Sequence, residues 1–227
     1  MSTAPTIVVD DSAEDPDAEF WFAEPPGFLP LPLDALLPEP DSTAAHALRT
    51  AAEPFLNAAP DELLRQQLIA QVASGQQLLA ALREIGTVHC SIGLHRDDVG
   101  GGARPLFSLF TVSWRRTATV PRGVMAARAV SATSVTQGGA YVEYLELPCG
   151  PATVSESTSA LSAAVDTPLL QLRAHLPHPD CKRLAVLTLG TTALARRDEY
   201  RVILRQIAET VSFEKPFGPV VRPAAPG

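Results

Sequence analysis

The sequence predicts an α+β fold: a mainly antiparallel sheet covered by helices, with an extended Pro-rich N-terminal strap. Three observations predict it. Strand-like segments follow one another in pairs joined by turn signals, helical patterns come in blocks instead of alternating strictly with strands, and prolines crowd the first forty residues. Strict βαβ alternation, which a doubly wound parallel sheet would need, is missing.

Thr6–Val9 reads as a short strand, and Phe20, Trp21 and Phe22 are consecutive aromatics. Pro25, Pro26, Pro30, Pro32, Pro38 and Pro40 then force an extended path, because each fixes φ and turns the preceding residue away from helix. Trp21, Phe22, Phe28, Leu29, Leu31 and Leu33 give this stretch an apolar side, so it is expected to lie as a strap across the body. Left uncovered, the same residues would form a polyproline-II ligand for a partner.

A helical region follows. Asp41 or Ser42 can cap a first helix that reaches Pro54, and Pro60-Asp61-Glu62 opens a second with proline and acids in its first turn. Within the second, Leu64, Leu68, Val72, Gly75, Leu79 and Leu82 recur at helical spacing until Gly86 ends it, which describes an amphipathic cover for a sheet.

Strand signals then take over. Thr87–Leu94 and Leu106–Trp114 are expected to form a hairpin through the turn-rich residues 97–102. Pro121 through Ala132 reads as a helix, broken by Gln137-Gly138-Gly139; Ala140–Leu147 is a strand, Pro148-Cys149-Gly150-Pro151 a turn, and Ala152–Ser157 its partner. Leu170, Leu172, Ala174 and Leu176 alternate with Gln171, Arg173 and His175, the period of a strand with one dry face. Arg183–Leu189 is nearly all apolar and suits a sheet centre. Tyr200, Ile203, Leu204, Ile207, Ala208 and Val211 mark a closing amphipathic helix with Arg201, Arg205 and Glu209 on its wet side. The expected organisation is an acidic, Pro-rich arm over 1–41, a single α+β domain over 42–214 and a Pro-rich tail over 215–227.

With 46% hydrophobic and 19% charged residues in 227, the chain can bury one core without disulfides or structural metal, and whole-chain disorder is excluded. It holds no apolar run of membrane-spanning length, and its opening residues are acidic where a signal peptide is basic, so a soluble, cytoplasmic protein is expected. The net charge of -7 is unevenly spread. Residues 1–41 contain ten acids and no Lys or Arg, leaving the rest of the chain at +3. Such an arm can lie on its own body or attract a basic partner. Asp10, Asp11, Glu14, Asp15, Asp17 and Glu19, with Trp21 and Phe22, are therefore the candidate partner-binding residues. A nucleic-acid partner is disfavoured, because the isoelectric point is about 5.2 and Arg115-Arg116 and Arg196-Arg197 are isolated pairs, not a basic stripe.

No residue pattern declares a reaction. Three cysteines are poor material for a disulfide framework and read as reduced thiols. His175, His178 and Cys181 have soft-metal donors but no fourth ligand at a zinc-site spacing. His89, Cys90 and His95 suggest a Cys-His nucleophile, yet adjacent strand residues point to opposite faces, so His89 is badly placed to activate Cys90. Gly100-Gly101-Gly102 lacks the Lys-Ser/Thr of a phosphate loop, Asp97 and Asp98 are not followed by alternating oxygen ligands, and no serine sits in a Gly-x-Ser-x-Gly elbow. No catalytic residue, cofactor or metal is expected.

The order of Gly-Phe-Leu-Pro-Leu-Pro-Leu-Asp (27–34), a helix ending near Gly86, Val-His-Cys-Ser-Ile-Gly-Leu-His (88–95), Glu-Leu-Pro-Cys-Gly-Pro-Ala (146–152) and Leu-Ala-Val-Leu-Thr-Leu-Gly-Thr-Thr (184–192) before a closing helix resembles a family of uncharacterised actinobacterial proteins, over most of residues 20–214. The closing strand-helix unit also resembles the PsbP/LpqN-like α-β-α sandwich. These resemblances carry no catalytic residue across; they imply a non-enzymatic binding or accessory protein near secretion or envelope machinery. LpqN-type proteins are exported lipoproteins, whereas no lipobox is found here. The expected function is a non-catalytic module that binds a protein partner. The alternatives are a small enzyme using His and Cys residues, or an immunity-like inhibitor of a basic partner.

Overall fold

Seven of the nine strands join one antiparallel sheet in the computed structural model, which describes residues 6–9, 20–31, 33, 42, 43, 46, 62, 66, 77–97, 104–134, 141–162 and 165–214. The strands are β1 (Thr6–Val9), β2 (Trp21–Glu24), β3 (Phe28–Pro30), β4 (Thr87–Asp97), β5 (Arg104–Arg116), β6 (Val142–Leu147), β7 (Gly150–Ser162), β8 (Val165–Pro177) and β9 (Arg183–Thr191). Helical residues 77–84 form α1, Arg122–Ser134 form α2, and Arg197–Glu209 form α3 after a single 3₁₀ turn. The sheet order is β3-β4-β5-β9-β8-β7-β6, while β1 and β2 make a separate two-stranded ladder. The α+β class, the antiparallel sheet and the covering helices are as the sequence predicts. The nearly all-apolar β9 occupies the middle of the seven strands.

Cross-strand register sorts the side chains onto two faces. On one face Leu170, Leu172, Ala174 and Leu176 of β8 stand beside Ala185, Leu187 and Leu189 of β9 and Phe110 and Val112 of β5, all essentially without exposure. Tyr200, Leu204, Ile207 and Ala208 of α3 close over them. On the other face Met125 of α2 packs on Leu184 and Val186 in a smaller cluster, and the Thr153 hydroxyl donates to the Ala126 carbonyl at 3.2 Å. Leu79 of α1 is buried and Leu82 half-buried, while Leu64, Leu68, Val72 and Gly75 lie outside the described residues, as does most of the first predicted helix.

The strap is a structural part of the fold. Phe20, Trp21, Phe22 and Phe28 are all buried, with Phe20 against Trp114, and Phe22 and Phe28 both against Phe110. Each such ring contributes about 1.5–3 kcal/mol by leaving water. Trp21 and Ser212 exchange two backbone hydrogen bonds of 2.9 Å, which ties the strap to the segment after α3. Sequence reasoning describes this stretch only as extended; the structure makes Phe28–Pro30 an edge strand, a place where proline's missing N–H leaves no ladder bond unmade. Gly86 takes φ +82° at the end of α1, and a Cβ there would meet the Trp114 carbonyl oxygen at 2.9 Å. The turn between α1 and β4 therefore requires glycine.

Candidate functional site

The residues that sequence reasoning singles out are dispersed. Trp21 and Phe22 are interior, so their rings belong to the core and are not offered to a partner. Asp10, Asp11, Glu14, Asp15, Asp17 and Glu19 lie outside the described residues, as do Asp98 and Gly100-Gly101-Gly102. His175 is buried on the α2 face of β8, whereas His178 lies beyond the strand with its ring 4.9 Å from Phe213 and 5.8 Å from Trp114. Cys181 adopts φ +59° in the turn that follows. Among the described residues no three His, Cys, Asp or Glu side chains converge on a metal position. His178 instead pairs with Asp180 at 3.1 Å, and Asp180 also accepts from Arg183 at 2.7 Å and from the Lys182 backbone N–H at 2.7 Å. Burial pushes the Asp180 carboxyl up, but these hydrogen bonds outweigh it and hold it down at about 2.

His89 and Cys90 point to opposite faces, as the strand period requires. The Cys90 thiol is pushed up to about 12 by burial and then by the Glu24 carboxylate, which suits an inert thiol and not a nucleophile. His89 Nε2 lies 2.9 Å from Glu24 Oε1, and the Ser91 hydroxyl donates to the same oxygen. Serine and histidine share one carboxylate oxygen, so the imidazole does not activate the hydroxyl. Glu24 is 3% exposed, and the cluster latches β2 to β4 under a lid of Phe22 and Phe110. Further along the same face, Gly93 gives room to the Ser108 hydroxyl, which a Cβ at that position would meet at 2.2 Å. Burial pushes the Tyr200 hydroxyl up; the hydroxyls of Thr191 and Ser108 oppose that shift.

The surface feature with the richest chemistry lies where α3 meets the β6–β7 edge. A groove of about 200 Å³ is lined by Tyr141, Glu143, Val154, Asp198, Arg201 and Arg205, with Val202 at its rim. Glu156, 7% exposed, is gripped by Arg201 through Nε at 2.6 Å and Nη2 at 2.5 Å, and by Arg197 at 3.5 Å. Glu143 accepts from Arg205 and from the Tyr141 hydroxyl, and Arg201 stacks 4.4 Å from the Tyr141 ring centre. The Arg205 hydrogen bond draws the Glu143 carboxyl down, and Glu143 pushes the Tyr141 hydroxyl up. Every carboxylate here has a guanidinium partner, so no free general acid or base faces the groove.

This site was hidden from sequence reasoning. Arg201 and Arg205 are assigned there to the wet side of α3, and Glu156 goes unnoticed. The available signal was parity: Glu156 sits two residues from Val154, on the dry face of a strand, where a carboxylate must find a partner. No helix among the described residues is long and apolar enough to cross a membrane. No protein-family model matches the chain, and no curated protein matches it either.

Proposed function

We propose that this protein is a non-catalytic protein-binding module that receives an extended segment of its partner along the outer side of β6. The observation that carries this reading is an unpaired edge beside exposed aromatics. Among the described residues β6 pairs only with β7; it presents Tyr144 at 64% exposure on the α2 face, and Tyr141, just before the strand, is 41% exposed on the α3 side. The opposite edge is protected by design: β3 has three residues and contains Pro30. Six proline-free residues in β6 leave room for a partner strand, whose main chain would supply affinity while Tyr141 and Tyr144 hold its side chains. Exposed Glu146 favours a basic side chain on the partner, since Glu143 is already committed to Arg205. A role beside secretion or envelope machinery is supported by the resemblance of the closing unit alone. The buried, raised Cys90 thiol and the carboxylate-bound His89 argue against the His/Cys enzyme alternative.

A photo-crosslinking residue placed at Tyr144 should capture a protein partner in the native cell, and the same residue at Leu29, exposed on β3, should capture none. Equal labelling from both positions, or none from Tyr144, would refute the reading.

A further inference from the structure

Strand β4 turns a polar strip toward the core: register puts His89, Ser91, Gly93 and His95 on the side that carries Phe110 and Val112 of β5. The strap lies over this strip and is fastened at two places. At one, Glu24 holds His89 and Ser91. At the other, the Gly27 carbonyl accepts from the Leu94 N–H at 2.7 Å, and Phe28 brings its ring to 5.4 Å from that of His95.

His95 stands at a junction of three elements. A Cβ on Gly27 would meet its Nδ1 at 3.4 Å, and a Cβ on Gly93 would meet its Nε2 at 2.8 Å and the Ser108 hydroxyl at 2.2 Å. From α3, the Tyr200 ring comes within 5.9 Å of the imidazole. His95 Nε2, Ser108 Oγ and Tyr200 Oη are all sealed from solvent without a hydrogen bond of ordinary geometry. Around the ring the strap offers Gly27 and Phe28, β5 offers Ser108, and α3 offers Tyr200, whose hydroxyl is the one titratable group of these. Glu199 lies beside Tyr200 and is paired with Arg196, and Glu24 is engaged at the far end of the strip. Asp97 follows on the same side of β4, in the strand's last pair with Arg104.

We propose that His95 is an acid-operated release for the strap: while the imidazole is neutral β3 stays on β4, and when it gains a proton the ring moves to water and β3 leaves, which makes β4 an open edge. A cation at this junction would sit against two rings and hydroxyls with no described carboxylate against it, and the least costly relief is to move the element held most weakly. That element is β3, with three paired residues, since four buried side chains seat α3. Burial draws His95 below its ordinary value, which is the sign such a device needs. The closed strap binds fewer protons than the open one, so its advantage is complete above about pH 6.5 and is lost as pH falls through the lower value of the closed state. The release is independent of the β6 reading.

Amide exchange of the full chain, measured by NMR at about pH 7.5 and about pH 5 and corrected for the intrinsic pH dependence of exchange, tests it. The Leu94 N–H, and the Leu31 N–H that bonds to the Cys90 carbonyl at 2.8 Å, report the contact of the strap with β4. Leu187, at the sheet centre, reports global opening. In acid the wild-type amides of Leu31 and Leu94 should lose protection several-fold relative to Leu187. His95→Gln should hold the same strap protection at both pH values, whereas His89→Gln, which alters the other fastening, should still respond. Because a substitution can itself weaken the strap, the His95 imidazole is also titrated in the wild-type chain, and its midpoint should fall where Leu31 and Leu94 lose protection. Strap protection that stays level while His95 titrates, a loss shared equally by Leu187, or an undiminished acid response in His95→Gln would overturn the proposal.

Discussion

At the scale of single residues, the interior of this protein holds polar groups by two different means. The side chains of Glu24 and Glu156 are surrounded by hydrogen-bonding partners, His89 and Ser91 for one, Arg197 and Arg201 for the other. At His175 burial, followed by Arg173 and Arg115, outweighs a hydrogen bond with the Thr153 backbone and holds the imidazole neutral, lowered to about 4. An imidazole that titrates near 6.5 unfolded and near 4 folded binds fewer protons in the folded chain. The stability it contributes is therefore complete above about pH 6.5 and is lost as pH falls to about 4, on the order of 3 kcal/mol in all. Urea unfolding of wild type and His175→Gln across this range checks the sign: the variant should lose less stability on acidification. Parallel curves would mean that His175 is as accessible to protons folded as unfolded. Sequence alone places His175 on the wet side of its strand, and that expectation fails because α2 covers the second face of β8. Alternation reports two faces; it does not report which of them a helix will cover.

At the scale of elements, periodicity was informative wherever an element has one wet side. Alternation in 170–176, the apolar run in 183–189 and the stripe of α3 correspond to β8, the central β9 and the helix that closes the core. Strand ends were less legible. β4, β5 and β7 run beyond their predicted limits because ladder pairing, which pattern alone does not contain, carries them outward. β3 was invisible as a strand, since proline-rich extended chain and an edge strand share the same φ values. The α3 stripe makes a graded prediction. Ile207 has no exposure, so Ile207→Ala should cost about 2–5 kcal/mol, while Val202→Ala, at a position 53% exposed on the same helix, should stay within about 0.5 kcal/mol. Equal losses by denaturant unfolding would show that the helix is not seated as described.

For the whole molecule, the two sheet faces and the two sheet edges have been given different work. One face is a continuous apolar core sealed by α3 and the strap; the other mixes a small apolar cluster under α2 with hydroxyls and arginines. One edge strand contains proline, and the other, β6, has no second neighbour among the described residues and carries exposed Tyr144. The composition arithmetic anticipated a chain able to form a core and an acidic N-terminal segment, but the α3 groove depends on Arg201 and Arg205 meeting Glu156 and Glu143 across 45 and 62 residues, a proximity created only by the fold. The claim on which the function rests is that a partner adds a strand to β6. Hydrogen exchange of the wild-type chain, free and bound to the partner that the Tyr144 crosslink identifies, measures this directly. The backbone amides of 142–147 should become markedly slower to exchange on binding, with the β3 edge at 28–30 unchanged. Protection that appears at β3 or on the α2 face, with β6 exchanging as in the free protein, would contradict the account.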